Sequence, residues 1–159
     1  MAIQIEMKFN LGVEASQRTY HDHTLQTYAD SIFHKAEIST FIAKHSAIAY
    51  YVGDSPTVYV SGTCGSDTAG QVWCNPAYID IELSAWILID KKQTQGIIRH
   101  ELAHAIAYLC NLQGSYHGRG FTQALKLTSP RLFRRDRHWH DTPAVYTERK
   151  KYHPKTKFR

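Results

Sequence analysis

The spacing of apolar residues changes along the chain, and each spacing predicts a different kind of element. Over residues 15–45 the stripe Thr24, Tyr28, Ile32 and Phe33, continued by Ile38, Phe41 and Ile42, recurs at three- and four-residue steps. That period follows one face of an α-helix, so the segment is expected to be helical. The central stretch shifts toward a period of two. Residues 47–52 and 57–61 are rich in β-branched and aromatic side chains, and Gly53-Asp54-Ser55-Pro56 between them reads as a hairpin turn. Residues 62–70 are small and polar, a loop. Tyr78-Ile79-Asp80-Ile81-Glu82-Leu83-Ser84 alternates apolar and polar, which predicts a strand with one covered face and an exposed edge. The short apolar run 86–89 fits either element.

The strongest helical signal follows. Asp90 can cap a helix start, with Gln93 three residues on, and Ile97, Ile98, Leu102, Ala105, Ile106 and Leu109 supply a broad apolar face. This helix should stop between Asn111 and Gly114. A further helix begins near Gly118 and runs through Phe121, Leu125 and Leu127 to the break at Pro130. Helix, small sheet, helix, helix is an α+β layout, and no internal repeat is visible.

A chain of 159 residues, 43% of them hydrophobic, can bury one ordinary core, which argues against wholesale disorder. No apolar run approaches the roughly 18 residues that span a bilayer, and the N-terminal residues lack a basic region followed by an apolar one. Cys64, Cys74 and Cys110 form no CxxC pair, so neither a disulfide framework nor a four-cysteine zinc knuckle is expected. These features predict a cytoplasmic protein without a membrane partner. The net charge of +5 is unevenly placed: residues 1–130 hold nine Lys/Arg against eleven Asp/Glu, whereas residues 131–159 hold ten against three. The chain thus divides into a near-neutral body, 1–130, and a basic, aromatic C-terminal segment, 131–159. Arg131, Arg134, Arg135, Arg137, Lys150 and Lys151 are the candidates there for phosphate contacts with nucleic acid, with the interleaved aromatics available for stacking. The same run also reads as a charged, solvated face.

Ten histidines are the one unusual count. Two of them lie in His100-Glu101-Leu102-Ala103-His104, inside the best-marked helix. Four residues turn slightly more than one revolution, so both imidazoles leave the same face and can reach one ion. Glu101 lies beside them, off the ligand line, where a carboxylate can take a proton from water activated by zinc. Catalytic zinc usually has three protein ligands. The metzincin extension would need Gly at 107 and His at 110, where this chain has Ala107 and Cys110. The remaining candidates are Cys110, His117, Asp136, His138, His140 and Asp141. His117 is best placed: the six residues after Asn111 span up to about 20 Å extended, enough to return past two helical turns. Gly114 permits the reversal and Gly118 leaves room beside the ion. Cys110 points about 240° around the helix from His104 and reads better as a small buried residue. Tyr116 or Tyr108 could steady an oxyanion, and the strand at residues 79–83 could hold a peptide by edge pairing.

Residues 78–121 resemble the SprT-like (Spartan-type) zinc metallopeptidases. The resemblance rests on Ile81-Glu82-Leu83-Ser84, then His100-Glu101-Leu102-Ala103-His104, then His117-Gly118-Arg119-Gly120-Phe121, which has that family's H-G-x-x-F form. It implies a minimal zincin-like α+β peptidase with zinc held by His100, His104 and His117 and with Glu101 as general base. It also implies protein substrates, DNA-associated ones among them. Many relatives end in a four-cysteine zinc ribbon, which this chain lacks after residue 110. The alternative is a non-catalytic nucleic-acid- or protein-binding module, its structural zinc closed by a fourth side chain such as Cys110 or Asp136.

Overall fold

The computed structural model describes residues 6–9, 23–45, 57–63, 68–75, 78–114, 116–137 and 142–152. The elements are β1 (Glu6–Phe9), α1 (His23–Phe33), α2 (Ala36–His45), β2 (Thr57–Thr63), β3 (Gly70–Asn75) and β4 (Tyr78–Ser84). A 3-10 helix (Ala85–Ile89) leads into α3 (Lys91–Leu109), followed by α4 (Arg119–Thr128), α5 (Phe133–Arg137) and α6 (Pro143–Tyr152). The fold is α+β. The four strands form one mixed sheet in the order β1-β2-β4-β3, parallel from β1 to β4, with β3 antiparallel on the edge.

Two expectations about strands are corrected. The run 47–52 and its turn lie outside the described residues, but β2 has parallel partners on both sides, β1 and β4, rather than a hairpin partner. Residues 79–83 are not at an edge either. β4 pairs with β2 along its whole length and with β3 on its other side, so the sheet's free edge there belongs to β3, where Trp73 is 57% exposed. The alternation in β4 does report its faces: Ile79, Ile81 and Leu83 are fully buried, while Asp80 and Glu82 are half-buried.

The helical stretch predicted over 15–45 is two helices within its described part. His34 and Lys35 interrupt it, and the backbone closes with Lys35 N–H donating to the Ile32 carbonyl at 3.2 Å. A straight helix would turn Ile38 about 140° away from Phe33. The break lets both reach the core.

Helix α3 is the hub. It packs on β3 and β4 and against α1, α4, α5 and the 3-10 helix, and it buries Ile97, Ile98, Leu102, Ala105, Ile106 and Leu109. Each of the Ile and Leu side chains contributes roughly 1.5–3 kcal/mol by leaving water. Asp90 caps α3 through the Gln93 N–H at 3.1 Å, and Thr94 Oγ1 bonds the Ile87 and Asp90 carbonyls, both at 2.9 Å, which locks the 3-10 helix to the start of α3.

Part of the basic C-terminal stretch is built into this body. α5 packs on α3 and buries Asp136. α6 packs on the 3-10 helix, burying Val145 and setting the Arg149 guanidinium 4.8 Å over the Trp86 ring. Among the described residues no helix is long and apolar enough to cross a membrane.

Candidate metal centre

The end of α3 determines where the chain goes next. Asn111 takes a left-handed conformation (φ 46°), Asn111 N–H donates to the Tyr108 carbonyl, and Leu112 N–H donates to the Ala107 carbonyl at 2.9 Å. This is a Schellman-type stop, with asparagine in the place usually held by glycine. Gly114, at φ 123°, then reverses the chain, and Gly120 N–H donates to the Gln113 carbonyl at 2.8 Å. Gly120 is held tightly against the turn that ends α3. A Cβ there would lie 2.7 Å from the Gln113 carbonyl oxygen and 2.7 Å from Leu112 Cβ. The reversal brings His117 back over α3.

Three imidazoles converge as a result. His117 Nε2 lies 3.1 Å from His100 Nε2 and 3.1 Å from His104 Nε2, and the three ligand atoms all fall within 4.8 Å of one another. Tetrahedral zinc with nitrogens at about 2.0–2.1 Å needs ligand atoms roughly 3.3 Å apart. The trio can therefore hold such an ion with little rearrangement. Nδ1 of His100 lies 2.6 Å from the backbone carbonyl of Asp136. A carbonyl only accepts, so Nδ1 carries the proton and Nε2 keeps its lone pair for the site.

The electrostatics suit a cation. Burial, helped by the two neighbouring imidazoles, pushes His104 down to about 3, and burial also lowers His100. Both rings are thus neutral, as ligands must be. Burial pushes Glu101 up to about 8, and its Oε2 is buried without a hydrogen-bond partner. Glu101 directly follows His100 on α3 and its charge is felt at Tyr116, the ring stacked on His104, so its unpartnered oxygen is one that a cation held by the trio would compensate.

Aromatic rings enclose the trio. Phe121 stacks on His104 from α4, and Tyr116, 70% exposed, stacks on the same ring at 4.2 Å. The Tyr116 phenol is raised by burial and by the Glu101 charge. Tyr108 is exposed on α3 and has no ring contact with the trio.

The other ligand candidates lie apart from it. Cys110 is buried at the end of α3, its thiol pushed up to about 11 by burial, and it does not join the trio. Asp136 turns its carboxylate to Arg99 and Ser129. His138, His140 and Asp141 lie outside the described residues. Of the basic residues, Arg131, Arg134, Arg135, Lys150 and Lys151 are exposed and Arg137 is half-buried. Sequence reasoning missed the partners behind the site: Arg99, Tyr28, Thr128 and Ser129. Arg99 showed only as a charge at an otherwise apolar stretch of α3.

Among known proteins, the sequence model of the SprT-like family matches residues 30–137, more than half of the chain, from α1 to α5 and across all three histidines. No curated protein and no solved structure matches it.

Proposed function

Because the chain belongs to the SprT-like family, whose members are associated with zinc-metallopeptidase-like activity, we propose that it is a zinc-dependent endopeptidase on a minimal zincin-like fold. His100, His104 and His117 would hold the ion, and bound zinc would supply Lewis acidity, lowering the pKa of water and polarising the scissile carbonyl. Glu101, buried between the two helical histidines, takes the proton of the attacking water and returns it to the leaving amine. The Tyr116 phenol, one residue before His117 and stacked on His104, would donate toward the developing oxyanion. An extended peptide can add to the free edge of β3.

The observation that carries this reading is the convergence of three Nε2 atoms from His100, His104 and His117, with an unpartnered buried carboxylate oxygen on Glu101, the residue after the first of them. No fourth His, Cys, Asp or Glu among the described residues joins them, which favours an open position over a closed structural site. Arg131, Arg134 and Arg135 are exposed, where they can meet phosphates, which supports the further proposal that its substrates are DNA-associated proteins.

The test is E101Q in the full chain. It should retain one zinc per chain and lose cleavage of an unfolded protein substrate by about 10²–10⁴-fold. Undiminished cleavage by E101Q, or a wild-type chain that takes up no zinc, would overturn the reading.

A further inference from the structure

Behind the three histidines, we infer that Asp136 is a positioning residue which sets the orientation of His100 by gripping two consecutive residues of α3 at once. The inference rests on reading the trio as a metal site. The backbone carbonyl of Asp136 receives the His100 Nδ1–H at 2.6 Å, while its carboxylate takes Arg99 Nε at 2.7 Å and Arg99 Nη2 at 3.2 Å. Because Arg99 directly precedes His100, one residue of α5 clamps two adjacent residues of α3, one through its carbonyl and one through its carboxylate.

A carbonyl on a five-residue helix is only as well placed as that helix, and so short a helix has no stability of its own. What fixes α5 here is a network that converges on Asp136 and Arg99. Ser129 Oγ donates to the Asp136 carboxylate, Thr128 Oγ1 donates to the Arg99 carbonyl at 2.9 Å, and Arg99 Nη1 donates to the Tyr28 hydroxyl on α1. Both members of the pair are buried. A buried ion pair rarely adds net stability over apolar packing, so stability alone does not account for this arrangement. Its geometric product is a fixed tautomer and ring angle at His100.

Gly96, one turn before His100, makes the close approach possible. A Cβ there would stand 3.0 Å from Asp136 Oδ1. Alanine at this position strengthens the helix intrinsically by about 1 kcal/mol while its Cβ shifts the carboxylate by a few tenths of an ångström without removing the ion pair, so it perturbs positioning with little loss of stability.

The test uses the full chain, with zinc dissociation constants from chelator competition and ¹⁵N NMR of the His100 ring in the metal-free protein. The wild type should show the proton on Nδ1. D136N should weaken zinc by about 10–100-fold, the usual effect of losing an outer partner. G96A should weaken zinc without a lower melting temperature. A wild-type His100 protonated on Nε2 overturns the inference, as does wild-type affinity in the folded variants; if D136N does not fold, G96A decides. These readouts need no substrate. A chain that binds zinc through the clamp but cleaves nothing defeats the peptidase reading alone, and one that cleaves with the opposite tautomer defeats the clamp alone.

Discussion

Phe121 stacks on the His104 ring with centroids 4.3 Å apart and planes 27° from parallel, and it also lies 4.7 Å from His100 and 4.9 Å from His117. It follows His117 by four residues, so the first turn of α4 places an aromatic floor under the ligand set that His117, just before the helix, completes. Phe121 is buried. F121A should therefore cost about 3–5 kcal/mol in denaturant unfolding, and F121L clearly less because it refills most of the volume. Zinc affinity should follow the same order. A destabilisation under about 1 kcal/mol in F121A would show that the ring is not packed as described.

The turn that returns His117 depends on two glycines for different reasons. At Gly120 an added Cβ meets backbone, 2.7 Å from the Gln113 oxygen and 2.9 Å from the Leu112 carbonyl carbon, which cannot swing aside like a side-chain tip. G120A should destabilise by about 1–3 kcal/mol through overpacking. At Gly114 the φ of 123° is the obstacle, and G114A should cost a similar 1–3 kcal/mol through strain. Both variants should also weaken metal binding, because the segment they displace carries His117. Metal titration of G114A at unchanged affinity would show that His117 is held without this turn.

What was legible in the sequence was local. The cap at Asp90, the apolar face of α3, its stop at Asn111 and the shared face of His100 and His104 each follow from residues within a few turns of one another. His117 could be placed because chain reach and the H-G-x-x-F pattern pointed to the same residue. The role of Asp136 could not. It lies 36 residues beyond His100 and acts there through a backbone carbonyl, a group that every residue possesses. The position of β4 in the sheet was hidden for a related reason. Alternation reports which face is covered, and Ile79, Ile81 and Leu83 are covered, but the hydrogen-bonding edges depend on partners 21 residues before in β2 and next door in β3. β3 itself begins at Gly70, where the small polar residues suggested only loop.

The metal-free protein should have a two-sided pH profile. Glu101 is raised from 4.5 to about 8, so the native state binds a proton there that the unfolded chain has already released. Its contribution is complete below about 4.5 and is lost as pH rises through about 8. His104 is lowered from 6.5 to about 3, so its contribution is present above about 6.5 and is lost as pH falls toward about 3; His100, lowered in the same direction, adds to this acid arm. Melting temperatures in a chelator should accordingly level off between about 4.5 and 6.5 and fall on both sides. E101Q should flatten the alkaline arm only. Added zinc should flatten it too, because a neighbouring cation favours the ionised carboxylate. An alkaline arm that survives in chelated E101Q would assign it to another group.

Basic residues of the C-terminal stretch should separate into two kinds by what their replacement affects. Arg131 and Arg134 are exposed, and charge reversal at both should leave stability within the range of ordinary surface changes, about ±0.5 kcal/mol each. If they neutralise phosphates, R131E/R134E should bind a single-stranded oligonucleotide more weakly. The salt dependence of log affinity should also become shallower by roughly 0.7 for each phosphate left without its arginine. Arg149 lies only eighteen residues beyond Arg131 yet is buried over the Trp86 ring. R149A should therefore appear as reduced stability, with the salt slope unchanged. Fluorescence titration at several salt concentrations, run beside thermal unfolding, reads both quantities. Equal oligonucleotide affinity and slope in R131E/R134E and wild type would remove the DNA role from this surface and leave its charge as solvated surface.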